Sequence, residues 1–349
     1  AEAGSRPALS ASERAKRRAE NAARVRASLP EEPVAGSADF LKRPAPAGSG
    51  PVLRVMSYNV RWDSIFPDAP DSRTEAFARI FNAVSPDIAG LQEIGKHDPA
   101  QTAALFDEIA PLPDGGKWHV YRGSQAAIVS KYPFRFTSDE AAHKTHRNPS
   151  VAWIDLPDDR FPADIMIVNN HFKCCGGEKN DAVRQAQADA TIAWVRDART
   201  RGDRFDLPAG SGIVLLGDLN LVGSKTPVET MIAGDIQNEA DWGPDVLPDW
   251  DDTPLTAVHP RHNGIGPDYT WRNDPDGWSP GRLDYIVYSD AVLVERNAFV
   301  LNCAALSEEA LAAAGLEKAD TAFDLENFVF DHLPLVVDLE FRSAADAAR

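Results

Sequence analysis

Cysteine is scarce in this chain: three residues in 349, at Cys174, Cys175 and Cys303. No Cys-x-x-Cys pair exists, so the usual structural zinc sites are excluded. No apolar run reaches the ~18 residues that a membrane-spanning helix needs. No internal repeat is visible. Positive charge is also in short supply, with 36 Lys and Arg against 53 Asp and Glu and a net charge of −17. Residues 1–50 hold 9 Lys and Arg against 6 Asp and Glu, a net of +3, so the rest of the chain carries −20. Nucleic-acid binders usually show a basic footprint, because neutralising phosphates releases counterions. An acidic domain repels a long polyanion unless a local basic patch or a metal compensates. A small or lipid-anchored phosphoester feels that general field less.

What is present is a set of apolar strands that end in polar residues. Ile213-Val214-Leu215-Leu216 runs into Gly217-Asp218-Leu219-Asn220. Strand alternation would put Asp218 and Asn220 on one side. A carboxylate is costly to bury unpaired, so Asp218 should face a cation, a donor or solvent. Five other segments do the same. Val55-Met56-Ser57-Tyr58 ends in Asn59, Ile88-Ala89-Gly90-Leu91-Gln92 in Glu93, and Ile165-Met166-Ile167-Val168-Asn169-Asn170 in His171. Asp331-His332 precedes Leu335-Val336-Val337, and Asp284 opens Tyr285-Ile286-Val287. Each alone has a bland explanation as a turn or a solvated strand end. Six together point to one polar site built from strand ends.

These pieces resemble the endonuclease/exonuclease/phosphatase superfamily, the deoxyribonuclease-I-like fold. The matching stretches are Ser57-Tyr58-Asn59, Leu91-Gln92-Glu93, Ser130-Lys131-Tyr132-Pro133, Asn170-His171-Phe172, Gly217-Asp218-Leu219-Asn220, Arg282-Leu283-Asp284-Tyr285-Ile286 and Asp331-His332-Leu333-Pro334. They span residues 52 to 341. The resemblance implies an α/β protein, a four-layer α/β/β/α sandwich of two packed mixed β-sheets flanked by helices. Alternating strand-like and helix-like segments agree with that class.

Three regions follow. Residues 1–50 form an N-terminal surface helix and a Pro/Gly-rich linker, 51–342 the catalytic domain, and 343–349 a C-terminal tail. Ser10-Ala11-Ser12-Glu13 reads as a capping box, opening an Ala- and Arg-rich helix that runs to about Leu29. The Ala-Glu-Ala-Gly start suits a mature protein after signal-peptide removal, or simple trimming. The expectation is a secreted or periplasmic protein, with a cytoplasmic one as the alternative. Cys174 lies just past His171, and the strand of about Leu293 to Leu301 should bring Cys303 back to the same edge. A bridge from Cys303 to one of the pair and three free thiols both remain open.

Hydrolysing a phosphodiester needs a nucleophilic water, charge stabilisation at the phosphoryl oxygens and help for the leaving oxygen. Hard oxygen ligands suit Mg²⁺, with Mn²⁺ or Ca²⁺ possible. The resemblance implies a metal at Glu93, with Asn59 beside it through oxygen or water and Asp331 as a further contact. Asp284 would orient His332, which works at the scissile phosphate. Asp218 would accept the proton of the attacking water, Asn220 would hold a phosphate oxygen, and His171 would protonate the leaving group. Gln125, Lys173 and Arg184 are candidate substrate contacts. The basic stretch His143-Lys144-Thr145-His146-Arg147 has two readings, a contact for a distal anionic part of the substrate and a solvated loop. Tyr269, Trp271 and Trp278 could wall the site or pack their loop. The reading is a metal-dependent phosphodiesterase on a small or lipid-derived phosphoester, acting as a monomer without a transmembrane segment. The alternatives are an extracellular endonuclease cutting nucleic acid, a phosphomonoesterase for sugar or inositol phosphates, and an inactive binding module.

Overall fold

The computed structural model describes residues 10–47, 50–138, 148–202, 205–321 and 331–342. The stretch His143–Arg147 and the residues just before Asp331 lie outside these. Among the described residues there are thirteen strands and seven helices. The strands are β1 Leu53–Asn59, β2 Ile88–Gln92, β3 His119–Arg122, β4 Ala126–Ser130, β5 Phe134–Ser138, β6 Ser150–Ile154 and β7 Ile165–His171. They continue as β8 Gly212–Asp218, β9 Thr256–Ala257, β10 Arg261–His262, β11 Asp284–Tyr288, β12 Leu293–Val300 and β13 Leu335–Phe341. The helices are α1 Ala11–Ser28, α2 Thr74–Val84, α3 Pro99–Ile109, α4 Glu178–Arg199, α5 Thr226–Ala233, α6 Glu239–Trp242 and α7 Glu308–Ala314.

The strands form two mixed sheets. One runs β10-β12-β13-β1-β2-β4-β3 and the other β5-β6-β7-β8-β11-β9. Three apolar clusters mark the interfaces of an α/β sandwich. The middle one joins the sheets through Leu53, Val55, Ile88, Ile128, Ile165, Ile167, Val214, Leu216, Ile286, Leu335 and Val337. A second packs α2, α3 and α7 on the outer face of the first sheet through Met56, Tyr58, Phe77, Phe81, Phe106 and Leu311. The third packs α4 and α5 on the second sheet through Met166, Val168, Ile192, Val195, Leu215 and Met231.

Strand periodicity explains where the polar residues gather. Side chains two apart share a face. Val55 faces the middle core, and so does the parity that leads to Ser57 and Asn59. In the same way Ile167 leads to Asn169 and His171, and Leu216 leads to Asp218. The inter-sheet space therefore turns from apolar to polar at one end. There Gln92 Nε2 donates to Asn169 Oδ1 at 2.7 Å, and Asn169 Nδ2 donates to Leu91 O and Ala127 O at 3.1 and 2.8 Å. Buried amides satisfied across the sheets fix their relative register. The sheets approach closely here, since a Cβ on Gly90 would meet Leu216 Cδ1 at 2.2 Å.

The N-terminal helix begins at the Ser10 capping box, as expected, with Glu13 Oε2 returning to Ser10 N at 2.8 Å. It is mostly exposed; Ala22 and Val25 are its buried residues. No helix among the described residues is long and apolar enough to cross a membrane.

Candidate active site

Asp218 stands at the centre. Its strand β8 pairs with β7 on one side and β11 on the other, in register His171↔Asp218 and Asp284↔Asp218. Three functional groups thus end on one line across the second sheet. Gly217 permits this: its φ is +134°, and a Cβ there would meet Asn170 O at 1.9 Å. Any other residue would push the two strands apart just before the site.

The Asp218 carboxylate is held by amides. Asn59 Nδ2 donates to Oδ2 at 3.0 Å, Asn220 Nδ2 to Oδ2 at 2.9 Å, and the Asn220 backbone N–H to Oδ1 at 2.9 Å. Asn220 does not reach Asp218 by strand alternation, as the sequence suggests. The strand ends at Asp218, and Asn220 has φ +51°, a left-handed turn that folds it back onto the carboxylate. Asn tolerates that conformation better than most residues. Burial pushes Asp218 up to about 7, with His332 pulling it back and Asp284 adding to the rise.

His332 forms a dyad with Asp284. Its Nδ1 lies 2.8 Å from Asp284 Oδ2, and its Nε2 lies 3.7 Å from Asp218 Oδ2. Nδ1 is thus the donor to Asp284 and Nε2 faces Asp218. Burial works against charge on this ring, but Asp284 and Asp218 outweigh it and hold its pKa well above the ordinary value. Thr270, which the sequence reading passed over, links the pair. Its Oγ1 accepts from the N–H groups of Leu283 and Asp284, each at 3.0 Å, and its carbonyl accepts from Leu333 N at 2.7 Å.

His171 Nε2 lies 3.7 Å from Asp218 Oδ2 and 3.9 Å from Glu93 Oε1. Glu93 sits just past β2 at φ +66° and accepts from Asn59 Nδ2 at 3.2 Å and from the Trp62 backbone N–H at 3.1 Å. Burial raises its pKa; the Asn59 bond lowers it, and Asp331 raises it further. Asp331 Oδ2 accepts from Trp271 Nε1 at 3.3 Å.

A divalent cation fits this chemistry. Asp284 Oδ1 is enclosed without a hydrogen-bond partner. Asp218, Asp284 and His332 offer ligand atoms all within 4.8 Å of one another, the one such group among the described residues. Burial raises Glu93 as well, and a nearby cation would offset the crowding of these carboxylates. Asn59 turns its amide nitrogen, not its oxygen, toward Glu93 and Asp218; Asn59 Oδ1 accepts from Arg61 N at 3.0 Å. In this arrangement it braces carboxylates, and direct ligation through its oxygen would require the amide to turn.

The expected substrate contacts divide. Arg184 is fully buried, with Nη1 on Lys173 O at 2.7 Å and Cys175 O at 2.8 Å and Nη2 paired with Asp181. Its two terminal nitrogens serve the loop after His171 and Asp181 on α4, and the fully buried side chain stands behind that loop rather than open to a substrate, which corrects the expectation of a direct contact. Lys173 is half-buried, with Nζ 3.7 Å from Cys174 Sγ. The Gln125 carbonyl accepts from Glu93 N at 2.8 Å, and its Oε1 is enclosed without a partner. Cys303 packs in the core outside the first sheet, because β12 crosses into that sheet to pair with β13. All three cysteines are free thiols, so the bridge from Cys303 is not made. Tyr269 is tied into its loop, its OH donating to Glu32 at 3.2 Å. Trp278 is exposed. Trp62 was missed as well: it is 59% exposed, although its backbone is anchored on Glu93. The signal for it was Asn59-Val60-Arg61-Trp62, where a large aromatic follows a site residue at once.

The fold is an α/β sandwich with a buried cluster of carboxylates and histidines at one end of the inter-sheet space, and the family match below makes it that of a phosphoester hydrolase. The model of the Endonuclease/Exonuclease/phosphatase family matches residues 56–307, and the chain belongs to that family. Among solved structures it is similar to TDP2 from C. elegans, at 16% identity and TM-score 0.52, covering 84% of this chain and 75% of that one. An endonuclease/exonuclease/phosphatase from Bacteroides vulgatus aligns at 15% identity and TM-score 0.51, covering 83% and 99%. D. rerio TDP2, solved with a single-strand DNA product, aligns at 14% identity and TM-score 0.51, again covering 83% and 99%. At these identities the likeness is one of fold. No curated protein matches the chain significantly.

Proposed function

We propose that this protein is a metal-dependent phosphodiesterase that hydrolyses a small or lipid-derived phosphoester by attack of water. The observation that carries the reading is the continuous network from Glu93 through Asn59, Asp218 and His332 to Asp284, with His171 against it. The residues that would hold the metal are Glu93 and Asp331, with Asn59 bracing Glu93 through its amide nitrogen; the neighbouring Asp218, Asp284 and His332 cluster is taken up by the histidine pair, and Mg²⁺ is the ion that the carboxylate oxygens favour. When bound, it supplies positive charge against the phosphoryl oxygens. Asp218, carrying a pKa of about 7, takes the proton of the attacking water. Two amides and a backbone N–H hold its carboxylate in place for that transfer. His332, kept charged by Asp284, stabilises the developing negative charge at phosphorus. His171 gives a proton to the leaving oxygen. Asn220 gives its amide nitrogen to Asp218 and to Phe172 O, so it braces the base, and holding a phosphate oxygen would require it to release one of these bonds.

Two features favour a small substrate over a long polyanion. The chain outside residues 1–50 carries −20. The exposed large apolar side chains include Trp62 and Val222, three positions after Asn59 and two after Asn220. They suit an apolar substituent next to the scissile phosphate. The test is a hydrolysis panel with Mg²⁺, Mn²⁺ and Ca²⁺ on bis-nitrophenyl phosphate, nitrophenyl phosphate, plasmid DNA, RNA and sphingomyelin. Diester hydrolysis that depends on metal and is lost in His332→Ala supports the reading. Hydrolysis of the monoester alone, or of DNA alone, replaces it with the phosphatase or the nuclease.

A further inference from the structure

We propose that Cys174 and Cys175 form a vicinal dithiol that closes to a disulfide between neighbouring residues. The site is a redox-modifiable one on the loop after His171. Adjacent side chains in an extended chain point apart. Here the backbone turns left-handed at Cys175, φ +74°, and the two sulfurs meet at 3.0 Å. Cys175 S–H points at Cys174 Sγ, and Lys173 Nζ lies 3.7 Å from the same sulfur. Cys174 Sγ therefore accepts from both sides and is the sulfur placed to attack.

The loop is built to hold this pose. Arg184, fully buried, donates to Lys173 O at 2.7 Å and to Cys175 O at 2.8 Å. Lys173 N donates to Gln187 Oε1 at 2.8 Å. The carbonyls on both sides of the pair are thus pinned to α4, and closure needs only local rotation of the two side chains and the peptide between them. Cys175 is exposed and Cys174 half-buried, so a small disulfide can reach them. Cys303 is buried in another layer.

The chemistry balances with a small disulfide such as oxidised glutathione as oxidant. The Cys174 thiolate attacks one of its sulfurs, and a first glutathione leaves. Cys175 loses its proton to solvent and attacks Cys174 Sγ, and the second glutathione leaves. Two thiols are oxidised and one disulfide is reduced to two thiols. The second step is intramolecular between adjacent residues, so it outruns capture of another glutathione.

The experiment equilibrates the full chain in glutathione redox buffers, quenches with acid and an alkylating agent, and measures mass and peptide map. The expected result is loss of two hydrogens and of two alkylatable thiols, mapped to the Cys174–Cys175 peptide, with Cys303 still reduced. Cys303→Ser should close in the same way. Cys174→Ser and Cys175→Ser should each retain one glutathione instead. A wild-type chain that keeps glutathione on either cysteine, forms covalent dimers, or involves Cys303 overturns the proposal. These readouts need no substrate, so they stand or fall apart from the phosphodiesterase reading.

Discussion

The His332–Asp284 dyad should act as one unit, and a double-mutant cycle can measure this. Asp284 Oδ2 lies 2.8 Å from His332 Nδ1, and both residues are buried. Asp284→Asn keeps the shape and removes the charge. At an effective dielectric of about 20, a unit charge some 4 Å from the centre of an imidazolium is worth ~4 kcal/mol. One factor of ten in rate corresponds to ~1.4 kcal/mol, so Asp284→Asn should lower kcat by ~10³. His332→Ala removes the ring that Asp284 serves and should cost at least as much, ~10³ to 10⁴. If Asp284 acts only through His332, the double variant should fall within a factor of ~3 of His332→Ala. If the two act independently, their effects multiply to ~10⁶ or more. The assay is kcat and KM for whichever diester the panel identifies, at saturating metal, with thermal melts to show that each variant folds. Multiplying effects would refute the pairing and give Asp284 a role of its own, such as binding the metal through the enclosed Oδ1.

Glu93→Gln should weaken divalent-ion binding, read by calorimetry, and lower turnover by ~10² while the fold is kept, since the shape is unchanged and the amide oxygen can still accept one of the two bonds that Asn59 and Trp62 now give to separate carboxylate oxygens. Full activity of the native chain in excess chelator would sink the metal mechanism. Asp249 gives a test remote from the site. Burial raises its carboxyl from 3.8 to about 6. The folded chain therefore holds the extra proton; this contribution to stability is fully present below pH 3.8 and is lost as pH rises through about 6. Asp249→Asn should remove that part of the pH dependence, so denaturant midpoints of variant and native protein should converge on acidification. A difference independent of pH would show that Asp249 does not titrate in that window. Finally, kcat/KM for plasmid DNA should lie below that for a small diester, because the polyanion meets acidic potential that a Debye length of ~8 Å only partly screens. Faster cleavage of DNA, strongest at low salt, would reveal a basic groove and favour the nuclease.

Much of the site was legible because β-strands translate spacing into facing. The run Ile213–Asp218 placed a carboxylate at the end of an apolar strand, and the structure puts it on the inner parity with Val214 and Leu216. What was not legible came from turns and from long-range pairing. Asn220 reaches Asp218 through a left-handed turn that no alternation pattern encodes. Arg184 looked like a substrate contact because a cation on the helix after His171 suits an anion. Whether it faces the cleft or its own loop depends on how α4 is rotated, which the sequence does not state. Cys303 was misplaced for a similar reason. The turn after Tyr288 carries the chain from one sheet to the other, so a strand expected to return beside its neighbour joins the opposite layer.

The same logic places the N-terminal segment, which composition sets apart from the rest. Glu32 accepts from Asn302 Nδ2 at 2.9 Å and Tyr269 OH at 3.2 Å, and meets His262 Nδ1 at 2.5 Å. Burial opposes its charge, and these bonds outweigh it, so its carboxyl sits below the usual value. Arg272 Nη1 in turn donates to Tyr269 OH at 3.3 Å, while its backbone N–H donates to Asp331 O at 2.9 Å. Asn21 Nδ2 reaches Pro275 O at 3.1 Å, and Arg18 pairs with Asp276 at 3.6 Å. One loop, residues 269–278, is therefore gripped by α1 and Glu32 on one side and grips Asp331 on the other. Thr270 within it ties the backbone of Leu283 and Asp284 to that of Leu333. Loops supported by few contacts open easily, and those tied at both ends hold side chains to the tolerances catalysis requires. A segment that contributes no candidate catalytic group thus fixes the geometry of the groups that do.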